Sequence, residues 1–179
     1  AASEGAGVTL IERNEKPGKK IYITGKGRCN LTNASDMETV RSNVITNPKF
    51  LYSAFHAFDN QDIIRLLEEE GCPVKVERGN RVFPVSDHAS DVTAALKRRM
   101  DRLGVKLRLN TRVLSLILEN DAAAGVQVRD EITEREEEVR ADAVIVATGG
   151  CSYPSTGSAG DGYRFAAQAG HTVTERRPA

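Results

Sequence analysis

The spacing of apolar residues changes several times along the chain, and each spacing predicts a different kind of element. Residues 8–11 are a short apolar run rich in β-branched side chains, and residues 141–150 form a longer apolar stretch that ends in Thr148-Gly149-Gly150. Strands of this kind are buried on both faces, as in a parallel sheet that helices cover. The pattern therefore predicts an α/β fold.

Helical spacing dominates residues 36–104. A short helix is predicted over residues 36–42, and a longer one begins at Asn47-Pro48, with Asn as the cap and Pro in the first helical position. The apolar residues predicted to share one face of that helix are Phe50, Leu51, Ala54, Phe55 and Phe58. Further helices are predicted from residue 59 to Gly71 and from a Ser90 cap to Gly104.

Alternating patterns predict two antiparallel arrangements. Residues 74–77 and 81–83 flank Gly79-Asn80 and predict a hairpin. Strands are predicted over residues 105–109 and 111–118. A loop at residues 122–125 then leads into strands at residues 125–129 and 136–140, which pair as a meander. Beyond residue 150, Gly160-Asp161-Gly162 precedes a helix that Gly170 ends.

Composition narrows the class of protein. The 179 residues carry 25 basic and 25 acidic side chains, so no global field points to nucleic acid or to an anionic membrane. No apolar run approaches membrane-spanning length, and the first residues lack the pattern of a signal peptide. Cys29, Cys72 and Cys151 form no CxxC pair, which argues against a disulfide framework or a zinc site and favours the reducing cytoplasm.

Residues 24–33, called the glycine-rich loop below, concentrate residue types that can grip an anionic group. The glycines let the backbone approach a ligand closely, while Lys26 and Arg28 add positive charge. Cys29 stands beside Arg28, which could lower the pKa of its thiol, although packing near a ligand is the simpler interpretation. A solvated basic turn explains the same residues, so the pattern alone leaves both interpretations open.

A second candidate lies at the end of the first predicted strand, where Glu12 follows the apolar run. An acidic residue at this position of a nucleotide-binding βαβ unit accepts hydrogen bonds from ribose hydroxyls, and a plain polar strand end is the alternative. The run Lys97-Arg98-Arg99 favours a solvated helix face over a nucleic-acid patch, because Asp101 accompanies it in a neutral chain. No histidine has a visible partner, so no catalytic acid or base is assigned.

Seven stretches of the sequence carry a resemblance to a known family. They are Ile11-Glu12-Arg13-Asn14, Gly18-Lys19-Lys20, residues 25–33, Arg81-Val82-Phe83-Pro84, Thr111-Arg112-Val113, residues 146–150 and Gly160-Asp161-Gly162. With these motifs the chain resembles two-dinucleotide-binding-domain flavoproteins, and more narrowly the YhiN/BaiN-like family of FAD-dependent oxidoreductases. The likeness runs through essentially all 179 residues.

The resemblance implies which residues hold FAD. Glu12 would bind the adenosine ribose, Lys20 and the glycine-rich loop would lie near the pyrophosphate and the flavin, and Val113 would meet the adenine through its backbone. Asp161 could cap the following helix or approach a ligand. The cofactor-binding residues expected on this basis are Glu12, Arg13, Lys20, Gly25, Gly27, Arg28, Cys29, Asn30, Val113, Ala147, Thr148, Gly149, Gly150 and Asp161.

The implied fold is a Rossmann-like FAD-binding domain with a parallel sheet, a three-stranded β-meander and a helical insert. Its expected parts are the second strand and cofactor loop (8–33), the helical insert with its hairpin (36–104), the strands, meander and Thr-Gly-Gly strand (105–150), and the Gly-Asp-Gly loop, helix and start of a substrate domain (151–179). The family's Gly-x-Gly-x-x-Gly turn has no counterpart here. We therefore expect a partial domain, an internal fragment truncated at both ends, which by itself binds FAD weakly or not at all.

The function implied by the resemblance is hydride transfer through the flavin to or from a small organic substrate, with NADH or NADPH as candidate electron donors. No nucleic-acid partner, membrane partner or metal is expected, and the oligomeric state is left open. Two alternatives keep the fold: an FAD-containing protein of RNA modification, and a non-catalytic nucleotide-binding module.

Overall fold

A computed structural model describes residues 1–176 of the chain. Its α-helices are α1 (Lys19–Ile23), α2 (Met37–Ser42), α3 (Tyr52–Ala57), α4 (Asn60–Glu69), α5 (Ala89–Arg102) and α6 (Asp161–Gln168). Its strands are β1 (Thr9–Ile11), β2 (Thr32–Asn33), β3 (Val74–Glu77), β4 (Arg81–Pro84), β5 (Lys106–Arg108), β6 (Thr111–Glu119), β7 (Ala122–Asp130) and β8 (Glu136–Arg140). Short 3-10 turns occur at Ala2–Glu4, Thr24–Gly27, Pro48–Leu51 and Pro154–Thr156. No helix within residues 1–176 combines the length and the apolar character that a membrane span requires.

These elements form two compact units. Unit 1 consists mainly of residues 6–20 and the chain from Val105 onward, and unit 2 of Ala2–Gly5 and Ile21–Gly104. The parallel pair β1–β5 and the antiparallel sheet β6–β7–β8 lie in unit 1. Unit 2 contains a three-stranded sheet of order β2–β4–β3 together with helices α2 to α5.

The parallel pair in unit 1 fixes the position of Glu12. β1 and β5 run in register, with Ile11 opposite Arg108. The backbone N–H of Glu12 then donates to the carbonyl oxygen of Arg108 at 2.8 Å, and the carbonyl oxygen of Glu12 accepts from the N–H of Thr111 at 3.0 Å. The predicted parallel sheet is therefore present, and Glu12 lies at the carboxyl end of β1.

The predicted meander is confirmed, although its first turn lies elsewhere. β6 pairs with β7, and β7 pairs with β8. The predicted loop at residues 122–125 is wrong, because β7 already begins at Ala122 and the chain reverses at Asn120 and Asp121, whose φ angles are 50° and 62°. Two successive residues with positive φ are typical of the type I′ turn, which Asn and Asp tolerate and which fits the twist of paired strands.

The strand predicted over residues 141–150 is absent from the described structure. Residues 143–148 belong to no strand, and Ile145 and Val146 are 79% and 45% exposed. A strand exists through hydrogen bonds to a neighbouring strand, and none of residues 1–176 supplies that neighbour here. The apolar pattern indicates a preference for the interior of a sheet, but it does not specify which strand lies alongside.

In unit 2 the predicted hairpin is confirmed. β3 and β4 pair with Val76 opposite Val82, and Gly79 and Asn80 have positive φ in the turn between them. The sequence pattern did not reveal β2, a two-residue strand that pairs with the other edge of β4. The core of this unit, formed mostly by side chains from the helices, consists of Cys29, Leu67, Cys72, Ala89, Val92 and Ala95.

Helix starts in unit 2 agree only in part with the prediction. α4 begins after Asp59, whose carboxylate accepts from the N–H of Asp62 while the Asp62 carboxylate accepts from the N–H of Asp59. This reciprocal capping box explains why the helix begins there. Ser90 does not cap α5: the helix already begins at Ala89, so Ser90 lies within its first turn.

The helix predicted after Asn47 is also different. Asn47 has the left-handed conformation, with φ 51°, rather than the extended one of a capping residue, and its side chain makes no capping bond. The segment divides into a 3-10 turn and the short α3. The predicted apolar face is therefore only partly buried among the described residues: Leu51 and Phe55 are half-buried, whereas Phe50 and Phe58 are 85% and 50% exposed.

Helix α6 docks onto β6 in unit 1. The side chain of Gln168 donates to the carbonyl oxygen of Leu116 and accepts from its N–H, both at 2.9 Å. Arg164 donates to the carbonyl oxygen of Leu114, which lies in the register shift between Val113 and Ser115. These polar side chains satisfy backbone groups of β6, while Phe165 is buried in the core of the unit.

Candidate functional site

The carboxylate of Glu12 is held in place by its neighbour. Its Oε1 atom accepts from the backbone N–H of Asn14 at 2.9 Å and from the Asn14 Nδ2 atom at 2.7 Å. Both bonds use Oε1, so among residues 1–176 the Oε2 atom is left to accept from a ligand. A partly buried carboxylate with one oriented, available oxygen is suited to bind a ribose hydroxyl.

Asn14 is a site residue that the sequence analysis missed. Besides holding Glu12, its Nδ2 atom donates to the carbonyl oxygen of Thr156 at 3.2 Å. A Cβ atom added to Gly157 would lie 3.1 Å from that nitrogen. The signal was present in the sequence, because an Asn just after a strand commonly bonds nearby backbone groups.

Arg13 and Asp161 are paired. The Arg13 NH1 atom lies 3.8 Å from Asp161 Oδ2, and Arg164 approaches the other carboxylate oxygen at 3.3 Å. The expectation that Asp161 caps α6 is wrong: Gly160, with φ 84°, occupies the cap position, and Asp161 is the first helical residue. A carboxylate in the first turn is still stabilised there by the helix dipole.

Lys20 is bound to the chain that follows the Thr-Gly-Gly turn. Its ammonium donates to the carbonyl oxygen of Ser152 at 2.6 Å and lies 5.1 Å from the centre of the Tyr153 ring. The Tyr153 side chain is 65% exposed, and its φ of 58° is uncommon for a residue with a large side chain. Because an ammonium has three donors, Lys20 can still donate to an anion.

The Thr-Gly-Gly turn contains a buried hydroxyl without a partner. Thr148 Oγ1 is buried and makes no hydrogen bond to any described residue. A Cβ atom on Gly162 would lie 2.9 Å from this oxygen, and one on Gly149 would lie 2.8 Å from Ser158 Oγ. A buried unsatisfied hydroxyl costs about 1–3 kcal/mol, so this one is suited to receive a partner from outside the chain. The hydroxyl among glycines fits a bound cofactor.

Val113, Ala147 and Gly150 complete the predicted residues of unit 1. Val113 lies in β6 opposite Val128 and packs against the core of the unit. The Gly150 carbonyl oxygen accepts from the N–H of Gly160 at 3.0 Å, which brings the end of the turn beside the start of α6. The backbone contact of Val113 with adenine stays a prediction.

The remaining predicted residues, Gly25, Gly27, Arg28, Cys29 and Asn30, lie in unit 2. The glycine-rich loop closes on itself, since the N–H of Cys29 donates to the carbonyl oxygen of Thr24 at 3.0 Å. Gly25 has φ 56°, and a Cβ atom there would lie 2.7 Å from the Asn30 backbone nitrogen and 3.0 Å from the Phe83 ring. Only glycine fits at this position without a shift of the loop.

Cys29 faces the core of unit 2. It is 5% exposed, and burial raises the pKa of its thiol, an effect that a hydrogen bond with Thr24 partly offsets. The expectation that Arg28 lowers this pKa is wrong, because the Arg28 guanidinium bonds to Glu77 and Asp87 instead. The thiol is therefore protonated at neutral pH and fills space beneath the loop.

Glu77 and Asp87 are the partners of Arg28, and the sequence pattern did not point to them. The hydrogen bond with Arg28 is the largest effect that lowers the pKa of Glu77. Lys75 and then Arg28 lower the pKa of Asp87. These carboxylates lie 49 and 59 residues from Arg28 in sequence, which is why no local motif could reveal them.

Acid should therefore weaken unit 2 through these two carboxylates. Their folded-state pKa values lie below the unfolded ones, so their stabilisation is complete above about pH 4.3 and is lost as the pH falls through the folded values. We expect the wild-type melting temperature to fall more steeply below about pH 4.3 than that of a Glu77→Gln, Asp87→Asn double variant. Circular dichroism melts at half-unit pH steps test this. Parallel curves for the two proteins would contradict it.

The sequence of the chain is similar to that of a family of known proteins. Residues 1–176 match the family model of the HI0933-like protein Rossmann domain. The chain is 35% identical over 181 residues to the 3-dehydro-bile acid delta(4,6)-reductase of Clostridium scindens, an alignment that covers 100% of this chain and 42% of that protein. It is 31% identical over 178 residues to the ribosomal RNA dihydrouridine synthase of Haemophilus influenzae, covering 98% of this chain and 42% of that protein. The chain thus spans less than half the length of these relatives.

Solved structures are similar at lower identity. Mycobacterium smegmatis Sdh1 in complex with UQ1 matches with a TM-score of 0.66 and 18% identity, covering 94% of this chain and 35% of the other. Thermovibrio ammonificans THI4 matches with a TM-score of 0.57 and 14% identity, covering 87% of this chain and 53% of the other. At these identities the likeness concerns the fold alone.

Proposed function

Because this chain belongs to the HI0933-like family of FAD-dependent oxidoreductases and has a Rossmann-like FAD-binding fold, we propose that the whole protein passes hydride through FAD to or from a small organic substrate. The observation that carries the proposal is the buried, unpartnered Thr148 hydroxyl among glycines. A polar atom in this state is stabilised when a bound group completes its hydrogen bond.

The residues present fit FAD in their chemistry. Glu12 offers an oxygen to a ribose hydroxyl, Lys20 offers a cation, and Thr148 offers a hydroxyl where glycines leave room for a close approach. When bound, FAD supplies a two-electron carrier that accepts and donates hydride. The chain's own contribution is to bind and orient the cofactor, and none of its residues is assigned as a proton donor or acceptor.

The relatives suggest a narrower substrate class. One is named a delta(4,6)-reductase and another a dihydrouridine synthase, and both names describe saturation of a carbon–carbon double bond. We accordingly propose that the substrate is a small organic molecule with such a bond, and that NADH or NADPH reduces the flavin. A cytoplasmic location is part of the proposal and rests on the unpaired cysteines Cys29, Cys72 and Cys151.

RNA modification is the second candidate. Two relatives, from Haemophilus influenzae and Escherichia coli, are named ribosomal RNA dihydrouridine synthase, at 31% and 30% identity. Against it, the basic run on α5 is occupied: Lys97 pairs with Asp101 at 2.6 Å, and Arg99 with Glu70 at 3.3 Å. Arg98 donates to the carbonyl oxygen of Glu70. These cations bind acidic or backbone groups of the chain, which favours the small substrate.

The first experiment is the visible absorption spectrum of the whole protein, purified without added cofactor. Flavin bands that bleach on anaerobic addition of NADH or NADPH and return with a conjugated 3-oxo steroid diene would support the proposal. A spectrum without flavin, even after FAD is added, would refute it. Bands that return only with ribosomal RNA, together with loss of dihydrouridine from the RNA of a deletion strain, would favour the second candidate.

Replacing Thr148 with valine should change stability and cofactor binding in opposite directions. The variant removes an unsatisfied buried hydroxyl, so the protein without cofactor should gain about 1 kcal/mol, while FAD should bind roughly tenfold more weakly. Melting temperatures and FAD titrations of the apo protein measure the two effects.

Thr111→Val is the matched control for this experiment. The Thr111 hydroxyl is buried but already donates to the carbonyl oxygen of Leu109 at 2.8 Å, so its removal should lower the melting temperature. If both threonine variants lower stability and leave FAD affinity unchanged, the assignment of Thr148 to the cofactor fails.

A further inference from the structure

The two cations of the glycine-rich loop have different surroundings. The Arg28 guanidinium donates to Asp87 Oδ1 at 2.8 Å and to Glu77 Oε2 at 3.3 Å, and it lies 4.2 Å from the centre of the Phe83 ring. All three partners come from β3, β4 or the turn that follows β4. Arg28 therefore ties the loop to the hairpin behind it.

The charge of Arg28 is neutralised within this cluster. Lys75 donates to Asp87 Oδ2 at 2.7 Å, so two cations face two carboxylates. An approaching anion would meet no net positive charge from these four side chains, and it would have to compete with both carboxylates for the guanidinium. Arg28 is thus poorly placed as the main contact of an anionic ligand.

Lys26 is the other cation of the loop, and it is available. Its side chain is exposed and has no hydrogen-bond or ion-pair partner among residues 1–176. Its φ of 58° and ψ of 42° lie in the left-handed region, which costs a residue with a Cβ atom free energy and is found mostly where the surrounding structure enforces it. The loop is closely packed beside Lys26, since a Cβ atom added to the preceding Gly25 would lie 2.7 Å from the Asn30 nitrogen and 3.0 Å from the Phe83 ring.

We propose that the two cations have different roles. Arg28 positions the loop through Glu77 and Asp87, and Lys26 contacts an anionic oxygen group of the ligand. This inference rests on the proposed function. The anion is then either the pyrophosphate of FAD or a carboxylate of the substrate, two sources of the same chemistry. The Cys29 side chain packs in the core of unit 2 and so helps to hold the loop in place.

The direction in which FAD binding changes when a carboxylate is neutralised distinguishes this proposal from direct anion binding by Arg28. If Arg28 positions the loop, Glu77→Gln and Asp87→Asn should each weaken FAD binding several-fold, as Arg28→Met should. If Arg28 itself contacts the anion, neutralising its competitors should leave binding unchanged or strengthen it. Unchanged or stronger FAD binding by the two carboxylate variants, together with weaker binding by Arg28→Met, would overturn the positioning role.

Salt dependence tests Lys26. Lys26→Met in the whole protein should weaken binding of the anionic ligand roughly tenfold at low salt and flatten the dependence of affinity on salt concentration. An Arg28→Met, Glu77→Gln double variant keeps the cluster neutral and should retain the wild-type salt slope, which distinguishes a lost charge contact from a displaced loop. Lys49→Met is the control, because Lys49 is also exposed in unit 2 and has no partner among the described residues. It should behave as wild type.

Two probes identify the source of the anion. A Lys26→Met effect on the FAD dissociation constant assigns the pyrophosphate, whereas an effect only on KM for a carboxylate-bearing substrate assigns the substrate. No effect on either quantity would overturn the proposal. If the wild-type protein binds no FAD, the proposed function fails by itself. Calorimetric binding of inorganic pyrophosphate to wild type and to Lys26→Met then decides the role of Lys26, and equal binding or none would refute it.

Discussion

Replacing Gly25 with alanine is expected to weaken FAD binding by roughly a hundredfold. The new Cβ atom would lie 2.7 Å from the backbone nitrogen of Asn30 and 3.0 Å from the Phe83 ring, at a φ of 56°. The left-handed conformation and the overpacking each cost on the order of 1–2 kcal/mol. The free loop of the variant relaxes to avoid this cost and must regain the wild-type conformation to bind, so the sum corresponds to about two powers of ten in affinity. Titration of the apo protein with FAD measures the loss.

Gly27→Ala is the matched control in the same loop. Gly27 also has positive φ, at 87°, but the nearest atom to its added Cβ would be the Tyr22 carbonyl oxygen at 3.8 Å, an ordinary contact. This variant has the unfavourable backbone conformation but no steric clash, so its loss of affinity should be about tenfold or less. Equal losses in the two variants would mean that backbone conformation, and not the packing of Gly25 against Asn30 and Phe83, controls the loop.

The largest loss of stability is expected from Gly125→Ala in the meander. A Cβ atom there would lie 2.3 Å from the Val139 carbonyl oxygen and 2.9 Å from the Arg140 Cα atom. Both are backbone atoms of β8 and cannot rotate away, so the β7–β8 pairing must shift. We expect a destabilisation of about 3 kcal/mol, measured as a fall in the unfolding midpoint.

Gly79→Ala tests the explanation. Gly79 has a φ of 75° in the β3–β4 turn, and no atom lies within 4 Å of its added Cβ. Its substitution should cost about 1 kcal/mol, from backbone conformation alone. If Gly125→Ala proves as mild as this control, the meander accommodates a side chain by local movement and the close approach has little energetic weight.

The sequence predicted those elements whose partners lie nearby in the chain. The β3–β4 hairpin, the β6–β7–β8 meander and the body of α5 follow from local alternation, turn residues and helical spacing. The strand over residues 141–150 could not be decided in this way, because a strand depends on a neighbour that periodicity does not name. The same holds for Phe50 and Phe58, whose shared face predicts burial but not the surface that covers it.

The same distinction applies to the candidate site, where only the features that depend on neighbouring residues in the chain could be predicted. Glu12 was predicted because its position follows from the end of a local strand, and the structure holds it there through Asn14. The ion pairs of Arg28 could not be predicted, because they join residues 49 and 59 positions apart. A cation next to glycines suggests an anion site, yet only the folded hairpin shows which of the two loop cations is already neutralised.

The docking of α6 has a consequence for self-association of the meander. Open edges of a sheet can recruit strands from other molecules and so lead to aggregation. At β6 the side chains of Arg164 and Gln168 occupy backbone groups that an incoming strand would need. At β8, the opposite edge, the side chains of residues 136–138 are exposed, and Glu137 and Glu138 pair with Arg108 and Arg140. A second strand would have to accommodate these charged pairs. Within the described residues, the sheet is thus protected at one edge by side chains bonded to its backbone and at the other by charged side chains.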